Sequence, residues 1–244
     1  MPDARGFLFE THRAGAIDYP YAVYVPRTLP DPGESGVPLI VFLHGRGECG
    51  TEGSRQLAQG LPRELIWNPE RWPAIVLLPQ KPDYESQWIE HKDAVMAMLE
   101  RVKHRWPIDA SRVYLTGLSQ GGAGTWDIAA SNPDVFAAIA PVCGYVRAIF
   151  SHDEDKLRDR RITRESKAAK EIAEAIGDTP VWIFHGADDT VVSPSHSEAM
   201  RGALKTVGND PRYSLYPGVG HDAWTPAYRE EDLPDWLLSH TLER

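Results

Sequence analysis

Short runs of apolar residues recur along this chain, and they limit its fold more than any other feature of the sequence. Leu39–Leu43 is a continuous apolar run followed closely by glycine, and similar runs occupy Ala74–Leu78, Val113–Thr116, Phe136–Val142 and Val181–Phe184. A strand that is apolar at successive positions is buried on both faces, as in a parallel sheet that is covered by helices.

Segments with helical periodicity lie between several of these runs. Asp93–Arg105 places its apolar residues on one face, which is typical of an amphipathic helix, and Ser195–Val207 and Asp232–His240 are further candidates. Buried strands that alternate with helices predict an α/β fold, with a mostly parallel central sheet and helices on both faces.

The N-terminal segment has a different pattern. Phe7–His12 and Tyr21–Val25 indicate two short strands with a tight turn at Ala14–Asp18, so we expect an antiparallel N-terminal edge to the sheet. Pro26–Pro38 is rich in proline and glycine and is expected to be a loop. We find no internal repeat and no second core, so residues 1–244 are predicted to form a single domain.

The segment Tyr145–Thr179 interrupts the regular alternation of strands and helices. It is charged, contains Arg158–Arg161, and has a helical pattern over Ser166–Ile176. We interpret it as a small helical insertion over the sheet, which forms either a partial lid or a solvated surface helix.

Residues 117–121 read Gly-Leu-Ser-Gln-Gly, the pattern G-x-S-x-G, in which a serine stands on a strained turn between a strand and a helix. The β-rich run before it and the helical pattern of Gln120–Asn132 after it provide that context. Such a turn exposes the Ser119 hydroxyl above the sheet edge, and the Gln120 amide can donate to a developing oxyanion. Ser119 is therefore the candidate nucleophile, and the alternative is a glycine-rich turn with an incidental serine.

A serine hydroxyl is a poor nucleophile until a histidine takes its proton, and five histidines follow Ser119. We favour His221, because it lies in a loop just after the strand-like residues Arg212–Tyr216, where a side chain can reach the serine. His185 ends a strand and is interpreted as a structural residue that holds the next loop. The other three are His152, His196 and His240.

The histidine in turn needs a carboxylate that orients it and stabilises its charge. The loop after the strand Val181–Phe184 contains two adjacent candidates, Asp188 and Asp189, which sequence spacing alone does not separate. Asp222 is a third candidate, ranked lower because adjacent side chains in an extended loop point apart.

His44-Gly45-Arg46-Gly47 follows the first apolar run, and an H-G-x-G loop at this position supplies a second backbone amide to the oxyanion, that of Arg46. The Arg46 side chain is alternatively a substrate-binding group, or the ion-pair partner of Glu48. The two cysteines of the chain, Cys49 and Cys143, lack the spacing of a metal site, and no pattern indicates a cofactor.

Charge and apolar content exclude some partners. The chain has 26 Lys and Arg residues against 35 Asp and Glu residues, a formal net charge of -9, so nucleic acid is not an expected partner. No run of about 18 apolar residues is present, so no membrane span is predicted. Met1–Glu10 lacks a signal-peptide pattern, and two cysteines make no disulfide framework, so a cytoplasmic location is expected.

Four blocks in the expected order resemble the phospholipase/carboxylesterase and predicted-peptidase group of α/β-hydrolases. They are Leu43–Gly50, Gly117–Asp127, His185–Val192 and Gly218–Tyr228. Relatives of this group include feruloyl and cinnamoyl esterases and polyhydroxybutyrate depolymerase-like esterases. The resemblance implies an α/β-hydrolase fold.

The resemblance also maps functional residues onto this sequence. It assigns the acid to Asp189, as the third residue after the glycine of the His-Gly pair, and the base to His221. The oxyanion donors map to the amides of Arg46 and Gln120. The segment Tyr145–Thr179 departs from the group, in which the connection is shorter.

Together these features predict a cofactor-independent serine carboxylesterase that acts on a small-molecule ester through an acyl-enzyme. Trp88, Tyr145 and Trp224 are expected to line an acyl or aryl pocket, whereas Trp126 is expected in the core. The alternatives are a serine peptidase or a carbohydrate-ester (feruloyl or acetyl) hydrolase, and, with less weight, a non-catalytic binding protein. The sequence shows no propeller-sized extra domain, which argues against a prolyl-oligopeptidase type, and it leaves the oligomeric state open.

Overall fold

The computed structural model describes residues 4–29, 36–146 and 166–242, and their strands form one eight-stranded sheet. The strands are β1 (Gly6–Ala14), β2 (Ile17–Val25), β3 (Val37–Leu43), β4 (Ile75–Pro79), β5 (Ile108–Leu118), β6 (Ala138–Val142), β7 (Trp182–Gly186) and β8 (Arg212–Tyr216).

The strand order is β1-β2-β4-β3-β5-β6-β7-β8. β1 pairs antiparallel with β2, and β2 pairs antiparallel with β4, whereas every later pairing is parallel. The predicted mostly parallel sheet with an antiparallel N-terminal edge is thereby confirmed. The first two strands are longer than predicted, because Ala14 pairs with Ile17 and leaves a two-residue turn in which Gly15 has a φ of 60°.

Alternate residues of the central strands enter two apolar layers, one on each face of the sheet. Val41 of β3 lies in one layer, while Ile40 and Phe42 lie in the other. Successive side chains of a strand point to opposite faces, so a strand covered on both sides has to be apolar throughout. This geometry explains the continuous apolar runs in the sequence.

Helices cover both faces of the sheet. They are α1 (Leu61–Trp67), α2 (Lys92–Arg105), α3 (Gln120–Ser131), α4 (Lys167–Ile176), α5 (Ser195–Thr206), α6 (Trp224–Arg229) and α7 (Leu233–Leu238). α2, α3, α4, α5 and α7 agree with the predicted helices to within a few residues, whereas α1 and α6 were not predicted, because neither shows an extended apolar periodicity.

The predicted insertion is described only in part, because Arg158–Arg161 and their neighbours lie outside the described residues. Its C-terminal portion is α4, which contacts α3 and α5. Ala169, Ile172 and Ala173 of α4 are fully buried in the main apolar layer. This portion is therefore an amphipathic helix that packs on the core, and the lid remains a prediction.

The predicted loop at Pro26–Pro38 ends earlier than expected, since β3 begins at Val37, and residues 30–35 lie outside the described part of the chain. None of the helices in the described ranges has the length and apolarity that a bilayer crossing requires.

Candidate active site

Ser119 occupies the sharp turn between β5 and α3, with a φ of 53° and a ψ of -113°. A non-glycine residue with positive φ is strained, and such strain persists only where the surroundings hold it. The flanking glycines allow the turn. A β-carbon at Gly121 would overlap the backbone of Leu43, and one at Gly117 would overlap the backbone of Gly121. The G-x-S-x-G spacing is thus required by close contact between the turn and β3.

Three side chains from distant segments form one hydrogen-bonded chain at this turn. Ser119 Oγ lies 2.9 Å from His221 Nε2, and His221 Nδ1 lies 2.7 Å from Asp189 Oδ2. The carboxylate accepts from Nδ1–H, which leaves Nε2 as the acceptor of the serine hydroxyl proton. The His221 ring is 19% exposed and the Asp189 carboxylate is fully buried. The structure therefore brings together the three residues that the sequence analysis singled out.

The Asp189 carboxylate accepts hydrogen bonds on both oxygens. Oδ1 accepts from the amides of Val191 and Val192 at 2.8 and 2.9 Å. Oδ2 accepts from His185 Nε2 at 3.2 Å in addition to His221. Burial raises the pKa of Asp189, but the hydrogen bonds from His185, His221 and Val192 outweigh it and hold that pKa below its usual range. The carboxylate is therefore ionised at neutral pH.

His185 has a defined role in this arrangement. Its Nδ1 lies 2.6 Å from the Ser197 hydroxyl, and its Nε2 lies 3.0 Å from the carbonyl of Val192, a residue whose amide also binds Asp189. The residue holds the loop that carries Asp189, as the sequence interpretation expected. Its direct contact with the Asp189 carboxylate was missed, because the four-residue spacing in a loop does not predict it.

The two competing aspartates lie elsewhere. Asp188 is exposed. Asp222 accepts from the amide and hydroxyl of Thr225 at the start of α6. Among the other histidines, the buried His196 accepts from the Val146 amide at 3.1 Å, and His152 lies outside the described residues.

His44 holds the loop that follows β3. Its ring is fully buried, with Nδ1 2.6 Å from the Gly45 carbonyl and Nε2 accepting from the Lys81 amide at 3.0 Å. Its own carbonyl accepts from the Trp88 indole N–H at 3.0 Å. Burial lowers the pKa of His44 to about 3, so the ring is neutral at neutral pH.

The two amides predicted as oxyanion donors both begin helical turns. Arg46 starts a single 3-10 turn over Arg46–Glu48, and Gln120 starts α3. The first amides of a helix have no acceptor within it, so they can bind an anion. The Gln120 side chain is buried and its amide nitrogen donates to the carbonyl of Ser86 at 3.2 Å, which connects the start of α3 to the loop before Trp88.

A cavity of about 290 Å³ opens beside the Ser119 hydroxyl. Tyr145 and Trp224 line it, as predicted, and Trp224 packs edge-on against the His221 ring with centroids 5.3 Å apart. The interpretation of Trp88 as a pocket residue is corrected. Trp88 is 1% exposed and lies outside the cavity lining, because its indole packs against His44 and bonds to its carbonyl. Trp126 is 1% exposed, in agreement with a core position.

Two charged side chains line the same cavity. The Arg46 guanidinium lies 5.0 Å from the centroid of the Tyr84 ring, which is a cation–π contact rather than an ion pair. Burial raises the pKa of Glu48, and backbone N–H donors at Gly45 and at Glu48 itself oppose that rise. No ion pair joins the two among the described side-chain contacts, so the proposed Arg46–Glu48 pairing is not observed.

Cys143, Asp189 and His221 are the one group in the described part of the chain with metal-ligand atoms close together, within 4.8 Å of one another. Their chemistry favours another use. Burial raises the pKa of the Cys143 thiol well above its usual range, so the thiol is protonated at neutral pH. The Asp189 carboxylate binds one nitrogen of His221, whose other nitrogen binds the Ser119 hydroxyl. Cys143 and Cys49 are both buried and free.

A mostly parallel sheet with a serine on a strand-to-helix turn, and an aspartate and a histidine on later strand-end loops, defines an α/β-hydrolase. The model of the prolyl oligopeptidase family matches residues 89–241, and the chain belongs to that family. The sequence argument against such a relationship was wrong, because the match lies within the sheet-and-helix region and needs no additional domain.

The chain is also similar to individual proteins. It is 28% identical over 201 residues to an uncharacterized secreted protein of Arthroderma benhamiae, covering 76% of this chain and 21% of that protein. It is 26% identical over 229 residues to feruloyl esterase B of Thermothelomyces thermophilus, covering 83% and 75%. The crystal structure of a thermostable esterase matches with a TM-score of 0.74 and 29% identity, over 96% of this chain and 63% of that chain. The chain therefore spans less than two thirds of the length of two of these proteins.

Proposed function

We propose that the protein is a serine carboxylesterase that hydrolyses small-molecule carboxylic esters through an acyl-enzyme. The observation that carries the proposal is the unbroken hydrogen-bonded path from the Ser119 hydroxyl through His221 to Asp189. Membership in a hydrolase family and the likeness to a feruloyl esterase and a thermostable esterase support it.

In the proposed mechanism, Ser119 Oγ attacks the ester carbonyl while His221 Nε2 takes its proton. The ionised Asp189 stabilises the imidazolium that forms. The amides of Arg46 and Gln120 bind the oxyanion, and a missing donor of this kind costs about 3–4 kcal/mol of transition-state stabilisation. His221 then gives the proton to the leaving alcohol, and water releases the acyl group as a carboxylic acid by the same steps.

The test compares the wild type with Ser119→Ala on 4-nitrophenyl butyrate. We expect Ser119→Ala to lower kcat by at least about 10³-fold, because the acyl-enzyme cannot form. Ser131→Ala, at the C-terminal end of the same helix, is the matched control and should keep full activity. A fluorophosphonate probe should label the wild type and not Ser119→Ala. Full esterase activity in Ser119→Ala would overturn the proposal, and a wild type that neither turns over nor labels would favour a non-catalytic binding protein.

Family membership favours a second candidate, a serine peptidase, and the feruloyl esterase relative favours a carbohydrate-ester substrate within the ester class. The same triad would serve each reaction, so substrate preference distinguishes them. A panel of aminoacyl 4-nitroanilides, methyl ferulate and acetylated sugars, compared by kcat/KM, decides between an ester and a peptide substrate.

We further propose that the protein acts on small molecules in the cytoplasm and does not bind nucleic acid. Two free, buried cysteines and a net charge of -9 support this location and partner class. The Arthroderma benhamiae relative is described as secreted, so cell fractionation of the native source with a cytosolic marker is the direct test. Recovery in the medium would refute the cytoplasmic location.

A further inference from the structure

A second cavity, of about 140 Å³, lies next to the one beside Ser119. Trp224 belongs to the lining of both cavities, so they adjoin at this residue. The other side of the second cavity is formed by α1, which contributes Arg63 and Trp67, and by Arg229 at the end of α6. None of these residues takes part in the proposed triad or in the oxyanion amides.

The cavity carries an uncompensated positive charge. The Arg229 guanidinium is paired with the Glu64 carboxylate, with Nε 3.0 Å from Oε1, and this carboxylate side chain is 5% exposed. Arg63 makes no ion pair among the described residues, and its Cζ lies 4.6 Å from the centroid of the Trp67 ring. Stacking on an indole leaves the edge N–H donors of a guanidinium available to bind a carboxylate.

The second cavity has an exposed tryptophan, Trp67, in its lining. Its side chain is 51% exposed although it is among the largest apolar residues, and the Arg229 guanidinium also lies over it, 5.4 Å from the ring centroid. An exposed indole in contact with two guanidinium groups offers apolar surface and hydrogen-bond donors within one small volume. Small-ligand sites combine these features. The protein as a whole has a net charge of -9 and repels anions, so the positive charge of this site attracts an anion only at short range.

The position of Trp224 identifies the part of the substrate that would reach this site. His221 Nε2 delivers the proton to the leaving alcohol, so the alcohol portion lies on the histidine side of Ser119. Trp224 packs against that same ring at an interplanar angle of 87°. An alcohol portion that extends past Trp224 would enter the second cavity.

We propose that Arg63 and Trp67 form a leaving-group subsite, which selects esters whose alcohol portion carries a carboxylate. The carboxylate accepts hydrogen bonds from the Arg63 guanidinium, and the chain that carries it lies along Trp224 and Trp67. This subsite rests on the proposed esterase function, and it names a substrate class for it.

The test uses the acetates of 4-hydroxybenzoic acid and of the 4-hydroxyphenylalkanoic acids, with zero to three methylenes between ring and carboxylate, and the N-methylamide of each as the neutral partner. In the wild type, kcat/KM for the best acid should exceed that of its amide by about tenfold. Arg63→Gln should bring this ratio close to one, while kcat/KM for the amide stays within twofold. Arg63→Lys should retain part of the preference, because the charge remains but the fork of donors does not.

Arg201→Gln is the matched control. Arg201 is also an exposed arginine on a helix, 5.3 Å from the centroid of an aromatic ring, that of Tyr213, but it lies in neither cavity lining. It should keep the wild-type ratio. The subsite is overturned if the acid is no better than its amide at every spacer length, or if Arg63→Gln lowers kcat/KM for acid and amide equally.

A binding measurement separates the subsite from the esterase proposal. The free hydroxy acid should bind Ser119→Ala about tenfold more tightly than its N-methylamide in calorimetry, and adding Arg63→Gln should remove the difference. If the wild type hydrolyses none of these acetates, this titration alone decides the subsite, and the esterase proposal fails only if 4-nitrophenyl butyrate is not hydrolysed either. Equal affinity for acid and amide in Ser119→Ala refutes the subsite.

Discussion

Replacing His44 by glutamine should make the protein less sensitive to mild acid. The folded His44 ring is fully buried, accepts from the Lys81 amide, and has a pKa lowered to about 3, whereas an unfolded histidine titrates near 6.5. Between these two values the unfolded chain binds a proton that the folded chain does not. The free energy of unfolding therefore falls as the pH drops through 6.5, and the loss levels off only below about pH 3.

The size of the effect follows from the two pKa values. At pH 7.5 the linkage term is close to zero, and at pH 5 it is about 2 kcal/mol, approaching about 5 kcal/mol only near pH 3. Glutamine removes the titrating group and offers an oxygen acceptor to the Lys81 amide. The carboxylates that titrate in the same range are shared by both proteins, so they cancel in the comparison.

The assay is urea unfolding of both proteins at several pH values from 7.5 to 5. The wild type should lose about 2 kcal/mol more than His44→Gln over this range, even if the variant is less stable at pH 7.5. His104→Gln, which removes an exposed histidine from α2, is the control and should follow the wild-type curve. Parallel curves for the wild type and His44→Gln would refute the argument that burial keeps this ring neutral.

Three further outcomes are expected. Asp189→Asn should lower kcat on 4-nitrophenyl butyrate by about 10⁴-fold with little change in fold by circular dichroism, because the amide no longer stabilises the imidazolium; retention of wild-type kcat would contradict this. Gly121→Ala should lower the free energy of unfolding by about 3 kcal/mol, since its β-carbon overlaps backbone of β3, whereas Gly47→Ala, with open space around it, should change it by less than about 0.5 kcal/mol. Trp88→Phe should cost about 1–3 kcal/mol in urea unfolding and also lower kcat, because the His44 carbonyl loses its buried donor; an unchanged stability would show that this bond is dispensable.

Much of the fold could be predicted from the sequence, because it depends on patterns that repeat along the backbone. The apolar run at Leu39–Leu43 required burial on both faces, and β3 does divide its side chains between two apolar layers. The G-x-S-x-G turn could also be predicted from the sequence, because only glycine fits where α3 approaches β3. The short helices α1 and α6 could not be predicted, because they show no extended apolar periodicity and contacts with the rest of the domain stabilise them.

For the candidate site, the sequence could predict a set of candidate residues but could not choose among them. Asp188 and Asp189 are neighbours with the same chemistry, and the choice between them was made by resemblance; in the structure, only the buried Asp189 reaches His221. Trp88 looked like a pocket residue from its position near the motifs, yet its indole lies under His44. The sequence by itself determined which elements form and which residue types are at their ends. The tertiary structure alone decided which of those side chains meet, because Ser119 and His221 are 102 residues apart and no local pattern encodes a contact across that distance.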